Sequence, residues 1–240
     1  MENELQSSAI KNAELKFDGT DTEKVFKRNL RTQKNNWIYK DKLITYKYNE
    51  HGFRNKSFTD VDWANAVVVT GCSNVFGIGL ALEDTMCWHL EKMLNTPVVN
   101  LGVPASAVDF ACWNSLILHN NYPHPKGIVH VWSSLDRYTD YHNKLLPFTS
   151  QHPRYFGRLN WAYRSSRYIE SDRALWKDKT QYVEATFFCM DYEDEHIIKI
   201  HNLDKARDLS HPGIQAHYTA AEKIAGQLWK NSFNKRYKKN

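Results

Sequence analysis

The sequence has few features that would cross a membrane, staple a fold or bind a metal. Its longest uninterrupted apolar stretch is only a few residues, around Ala66–Val69, far short of the ~20 that a spanning helix requires. A helical membrane protein is therefore excluded by expectation. The opening residues, Met-Glu-Asn-Glu-Leu-Gln-Ser-Ser, lack the basic start and apolar core of a secretory leader. The expected location is cytoplasmic, or that of a virus-encoded product released by lysis. The four cysteines, Cys72, Cys87, Cys112 and Cys189, include no Cys-x-x-Cys pair, and no His pair accompanies them. That argues against zinc fingers and redox motifs and for small buried thiols in a reducing compartment. Gly71, Gly77 and Gly79 miss the Gly-x-Gly-x-x-Gly spacing, and no Gly-Lys-Ser/Thr is present, so no nucleotide-phosphate loop is expected. His-x-x-x-His and His-Glu-x-x-His are also absent. Neither a metal nor an organic cofactor is expected.

What is present fits an ordinary globular chain. With 240 residues, 42% hydrophobic and 25% charged, the chain is long enough for one large core that buries roughly 70% of the unfolded surface. The net charge of +5 is unevenly spread. Residues 24–56 carry ten Lys or Arg against two acids, and residues 230–240 carry five basic residues and no acid. The stretch between these ends is acidic. Basic ends without a nucleic-acid motif are weak grounds for nucleic-acid binding, and solvated surface is the preferred reading. The division expected is an N-terminal arm and β-hairpin extension over 1–60, an α/β/α domain over 61–230, and a basic tail over 231–240.

Periodicity gives the architecture. Residues 1–23 read as an arm with no committed structure. Trp37–Tyr48 is rich in strand formers interrupted by Lys40-Asp41-Lys42, which predicts a hairpin. Ala66–Thr70 is a β-branched run ending at Gly71, like a parallel strand buried on both faces. Leu82, Met86, Leu90, Met93 and Leu94 repeat at helical spacing, and Asn95-Thr96-Pro97 stops them. Val98–Leu101 and Gly127–Trp132 are the next strands, separated by a helix that Ser106 would cap. Thr186–Cys189 and Ile197–Ile200 are candidates for the fourth and fifth strands, and Gly213–Trp229 for the last helix. An aromatic, polar insertion, read as helical, fills 147–182. The alternation predicts a three-layer α/β/α sandwich with a central parallel sheet of about five strands, flavodoxin-like in type.

Open parallel sheets bind ligands at the carboxyl ends of their strands. Three such ends carry Gly71-Cys72-Ser73-Asn74, Asn100-Leu101-Gly102 and Ser133-Ser134-Leu135-Asp136-Arg137, and Asp208-Leu209-Ser210-His211-Pro212-Gly213 precedes the last helix. A serine hydroxyl needs a base to become a nucleophile. Imidazole suits that task near neutrality, and a carboxylate three residues away can fix its tautomer. Asp208 can instead cap the last helix.

These residues, in this order, resemble the SGNH, or GDSL-type, hydrolase family over roughly residues 46–228. Tyr48-Asn49-Glu50-His51-Gly52-Phe53-Arg54 is similar to an Asn-x-x-Gly-Phe-Arg segment that precedes the core in many members. Gly71-Cys72-Ser73-Asn74 is similar to the nucleophile block, with Cys72 replacing the usual Asp. Asn100-Leu101-Gly102-Val103-Pro104 and Asp208-x-x-His211-Pro212-Gly213 match the later blocks. The resemblance implies Ser73 as nucleophile, His211 as general base and then acid, and Asp208 as its orienting partner. It further implies the backbone N–H groups of Ser73 and Gly102 as oxyanion donors. The family's third donor is an Asn after the third strand. Here Ser133-Ser134 holds that place, with Asn74, Asn100 and Arg137 as alternatives. The implied activity is hydrolysis of a small-molecule or glycan ester, a small acyl group on a carbohydrate or similar alcohol. Transfer of the acyl group to another alcohol uses the same residues, and a hydrolase-like scaffold that binds glycan or protein without turnover is the alternative. The sequence leaves the oligomeric state open.

Overall fold

A computed structural model of the chain describes residues 4–7, 10–137, 139 and 158–237. Its N-terminal part contributes strand β1 (Glu14–Leu15), helix α1 (Glu23–Thr32) and strand β2 (Tyr46–Lys47). The Thr22 hydroxyl accepts from Val25 N–H at the start of α1, satisfying one of the first-turn donors that a helix leaves open. No hairpin forms within 37–48. Tyr46–Lys47 pairs antiparallel with Glu14–Leu15 instead. The strand formers Tyr39, Ile44, Tyr46 and Tyr48 use their side chains to enclose Phe76, Ile78 and Leu80 in one buried cluster. Burial of rings, not a local ladder, decides that segment.

The α/β part runs β3 (Val67–Gly71), α2 (Ser73–Phe76), α3 (Met86–Leu94), β4 (Val98–Gly102), α4 (Val108–Asn121), β5 (Gly127–Trp132), α5 (Arg158–Trp176), β6 (Gln181–Thr186), β7 (Ile197–Lys199) and α6 (Ile214–Tyr237). The sheet order is β4-β3-β5-β6-β7 and every pairing is parallel. Five parallel strands between helices make the three-layer α/β/α sandwich that the alternation predicts. Every residue of β3, β4 and β5 is buried, as strands covered on both faces must be.

The two faces have different partners. Val67 and Val69 point to α3 and α6, meeting Met86, Leu90, Ala220 and Ile224. Val68 points the other way, to Phe110, Ile117 and Leu118 of α4 and Trp176 of α5. Alanines at 216, 220, 221 and 225 are all buried, so one face of α6 is small enough to lie close against the sheet. The fourth core strand is Gln181–Thr186, not Thr186–Cys189. Its Glu184 is buried because Trp132 Nε1 donates to Oε1 at 2.8 Å and Arg173 Nε to Oε2 at 2.7 Å. Ser106 does not cap α4, since Ala107 holds that position and the Ser106 hydroxyl donates to Gly71 O at 3.1 Å. The final helix continues through Tyr237, past the point where a tail is expected. Residues 140–157, in and before the expected insertion, lie outside the described residues, whereas 158–176 are helical as expected. Among the described residues no helix is long and apolar enough to cross a membrane. Cys72, Cys87 and Cys112 are buried free thiols and Cys189 is half-buried.

Candidate active site

The chain leaves β3 toward β4 on one side and returns to β5 on the other. The reversal opens a crevice at the carboxyl ends of β3 and β5. Ser73 follows β3 there, and Ser133 follows β5. Each stands two residues past a paired position, since Gly71 is opposite Val131. Gly71 adopts φ +154°, and a Cβ on it would lie 2.5 Å from Val131 O and 2.6 Å from a Val75 methyl. Only glycine lets the strand turn so tightly into α2.

Ser73 begins α2, so its own N–H and that of Asn74 have no acceptor within the helix. The other end of α2 is held by Arg54. Its guanidinium donates to Phe76 O, Gly77 O, Leu80 O and Thr45 O at 3.2, 2.8, 2.8 and 2.9 Å and sits over the rings of Tyr46 and Phe76. Four carbonyls thus hold Arg54 in place of a carboxylate. Asn49, the first residue of the Asn-x-x-Gly-Phe-Arg segment, folds the turn that delivers it, its Oδ1 accepting from His51 N and Phe53 N.

Asp208 and His211 arrive from the loop before α6. That loop lies against Gly79, where a Cβ would meet Ala206 at 2.8 Å and Arg207 N at 3.0 Å and where φ is +78°. Leu209 has φ +60°, an uncommon left-handed conformation that bends the chain between Asp208 and His211. The cap of α6 is Asp204, whose carboxylate accepts from Gln215 N and Ala216 N, both at 3.0 Å. Asp208 is thereby left to a different partner. Its Oδ2 lies 2.7 Å from His211 Nδ1, and Ser73 Oγ lies 2.8 Å from His211 Nε2. The Asp208 side chain is fully buried and that of His211 is 16% exposed, so the imidazole can meet water while its carboxylate cannot.

The electrostatics fix the protons. Burial pushes the Asp208 carboxyl up, but the hydrogen bond and charge of His211 and the hydroxyl of Thr20 outweigh it and bring it down to about 2. An ionised carboxylate only accepts. The proton between the two residues therefore sits on Nδ1, and Nε2 presents its lone pair to the Ser73 hydroxyl. This is the arrangement a general base needs.

The expected oxyanion donors have divided fates. Gly102 N–H donates to Asn100 Oδ1 at 2.9 Å, and Asn100 Nδ2 donates to Val75 O at 3.0 Å. Both are engaged within the protein. The Ser134 hydroxyl lies 2.6 Å from both Asp136 and Asp191 carboxylates, and its single proton goes to one of them. Ser133 differs. It is buried, and its Oγ has no partner among the described residues. Asn74 is buried beside Ser73. Arg137 stacks on Phe188, and its Nη1 is buried without a described partner. In the loop from β4 to α4, Val103 N donates to Gly71 O and Ser106 N to Val103 O. Pro104 has no N–H, and Ala105 is held at φ +63°.

A second hydroxyl–imidazole–carboxylate row runs from β3 through β5 to α5. His130 Nδ1 is 2.7 Å from Thr70 Oγ1, and Nε2 is 2.8 Å from Asp172 Oδ2. Both His130 and Asp172 side chains are sealed from solvent, which places this row in the core and out of reach of a substrate. Trp132 is packed rather than cleft-lining, its ring stacked on His130. Sequence reasoning missed Thr20, whose hydroxyl reaches Asp208 from the N-terminal arm.

No family model and no curated protein matches the chain. Solved structures do match it. One is a protein assigned to the G-D-S-L lipolytic family from Desulfitobacterium hafniense, with TM-score 0.47, 11% identity, and coverage of 68% of this chain and 99% of that one. Another is a carbohydrate esterase family 2 enzyme with a carbohydrate-binding domain from Corynascus thermopiles, with TM-score 0.44, 9% identity, and coverage of 68% and 65%. A third is the acetyl xylan esterase Est2A from the rumen bacterium Butyrivibrio proteoclasticus, with TM-score 0.44, 11% identity, and coverage of 72% and 65%. The chain thus spans just under two thirds of the length of the last two. The three-layer α/β/α architecture rests on the chain's own strands and helices. Its sheet order, the serine after the first core strand and the Asp-x-x-His loop before the last helix are all on the molecule itself.

Proposed function

We propose that the chain is a serine hydrolase of the SGNH type that cleaves esters. The observation that carries this reading is the unbroken row of Ser73 Oγ, His211 Nε2, His211 Nδ1 and Asp208 Oδ2, with gaps of 2.8 and 2.7 Å, at the sheet's switch point. Ser73 Oγ attacks the ester carbonyl as its proton passes to His211 Nε2. Asp208 stabilises the imidazolium without taking the proton. His211 then gives that proton to the departing alcohol, leaving an acyl group on Ser73. Water, deprotonated by His211, attacks this acyl-enzyme, and the acid leaves as the bond to Ser73 Oγ breaks and His211 returns the proton to that oxygen.

The developing oxyanion is met by Ser73 N–H and the Ser133 hydroxyl. Because Gly102 N–H is engaged, Ala105 N–H takes the backbone role expected of Gly102. Val103 N and Ser106 Oγ both bind Gly71 O, which ties that loop to the strand end where Ser73 begins. A serine hydroxyl in place of the Asn amide that the resemblance implies favours modest turnover, since one such donor is worth about 10²–10³ in rate.

A fluorophosphonate probe tests the chemistry. The expected result is one covalent adduct, mapped by peptide mass spectrometry to Ser73 and lost in His211→Ala. An intact Ser73 peptide after exhaustive labelling would leave only the binding-scaffold alternative. The finer reading is a small acyl group on a carbohydrate or similar alcohol. It is expected to show as a preference of about tenfold or more in kcat/KM for nitrophenyl acetate over nitrophenyl octanoate. Equal rates on the two esters would remove it.

A further inference from the structure

Two adjacent residues of the N-terminal arm grip two adjacent residues of the Asp208 loop. Asp21 binds Arg207, with Nη2 to Oδ2 at 2.6 Å and Nε to Oδ1 at 3.0 Å. Thr20 binds Asp208, its hydroxyl donating to Oδ2 at 2.6 Å and lying 3.3 Å from His211 Nδ1. The first grip is buried and over-determined. Arg207 also donates to Lys16 O at 2.9 Å and lies over the rings of Phe17 and Phe26. Its carbonyl accepts from Asn29 Nδ2 at 2.9 Å, and Tyr46 OH donates to Asp21 Oδ2 at 2.5 Å. The turn that presents Thr20 is closed by reciprocal backbone bonds between Asp18 and Asp21, and Gly19 passes through it in the left-handed region at φ +55°.

A carboxylate next to an imidazole can rotate about its terminal torsion unless both oxygens are held. In Asp208, Oδ1 accepts from Ser210 N at 3.0 Å and His211 N at 3.1 Å. On Oδ2 the companion to His211 Nδ1–H is the Thr20 hydroxyl. We propose that Thr20 is a positioning residue of the active site, so that the N-terminal arm completes the Ser73–His211–Asp208 relay instead of merely preceding it. This rests on the hydrolase reading. The hydroxyl does two things. It holds Oδ2 in line with Nδ1, and it shares the carboxylate's negative charge, which limits how strongly Asp208 pulls on the Nδ1 proton. The other charged or titratable groups facing this pair are Arg207, bound to Asp21, and the neutral His217 and Tyr39.

Thr20→Val keeps the shape of the side chain and removes the hydroxyl, while Thr20→Ser keeps the hydroxyl. Thr20 is exposed, so neither change opens the core. For Thr20→Val, kcat on an activated ester is expected to fall about tenfold with KM little changed. The acid limb of the kcat/KM profile is expected to move to higher pH by roughly half a unit, as the unshared carboxylate favours the imidazolium. Thr20→Ser should restore both. A Thr20→Val enzyme with the parental kcat and the parental acid limb would overturn the proposal. The Nδ1 proton resonance of His211 gives a second readout that needs no turnover. It is expected to move downfield in Thr20→Val and return in Thr20→Ser. If the parent protein turns over no ester, the hydrolase reading fails, and the resonance alone decides whether Thr20 acts on the Asp208–His211 pair.

Discussion

Ser73→Ala is expected to lower kcat/KM for nitrophenyl acetate by about 10⁴–10⁶-fold, leaving only what binding and the oxyanion donors supply. The loss is that large because the hydroxyl has no substitute. The neighbouring Cys72 is buried, Asn74 is not a nucleophile, and His211 Nε2 has no other proton to take. His211→Ala should cost nearly as much, and the double substitution little more than either alone, because residues that act as one unit lose their effect together. The Ser73 hydroxyl touches only His211 Nε2 among the described residues, so Ser73→Ala should unfold at the parental temperature. Stopped assays on the three variants and a melting curve of each give the result. Losses that multiply across the double substitution would show that Ser73 and His211 do not work as a pair. Full activity in Ser73→Ala would place the chemistry elsewhere.

Much of this site is written in the chain because the fold imposes simple rules at its positions. Val67–Val69, Val98–Leu101 and Gly127–Trp132 are short β-branched runs because their strands are buried on both faces, and such runs are visible without a structure. The strand ends, and hence Ser73 and Ser133, follow from them. Asp208 and His211 are legible because they stand three positions apart, within reach of one loop. Strand β6 is harder to see. Gln181-Tyr182-Val183-Glu184-Ala185-Thr186 carries a buried Glu, which only its distant partners Trp132 and Arg173 make tolerable.

The N-terminal arm is harder still. Asp21 and Thr20 have meaning only beside Arg207 and Asp208, 186 and 188 positions away, and no local periodicity encodes a contact that long. The basic stretch at 24–56 has a similar lesson. One of its cations, Arg54, is a buried brace for α2, and charge counting alone assigns it to solvent.

Acid should destabilise the fold through His217, a residue one turn into α6. Its side chain is buried, Nδ1 accepts from Met86 N–H at 3.0 Å, and Nε2 has no described partner. Accepting at Nδ1 requires that nitrogen to be unprotonated, so the ring is the neutral Nε2–H tautomer. A second proton would have to go onto Nδ1, facing another donor in a space lined by apolar side chains, including the Phe187 ring. Burial first, and then the charges of His211, His89 and Arg54, bring its pKa from 6.5 down to about 3. The unfolded chain takes up this proton as pH drops below 6.5 and the folded chain does not. The stability from neutral burial is therefore complete above about pH 6.5 and is lost as pH falls from there toward 3. Each pH unit in that window costs about 1.4 kcal/mol, or roughly 2–3 kcal/mol between pH 7 and pH 4.5. Half-buried His89 is shifted down by burial too and adds in the same direction. Asp208, brought down to about 2, keeps its contribution above about pH 4 and loses it only below, so the two groups act in separate ranges. Urea unfolding at pH 7 and pH 4.5 measures the difference. In His217→Asn, whose Oδ1 stands where Nδ1 accepts but cannot be protonated, the midpoint at pH 7 should be lower and its fall on acidification distinctly smaller. A variant that keeps the full parental acid slope would assign that sensitivity to other groups.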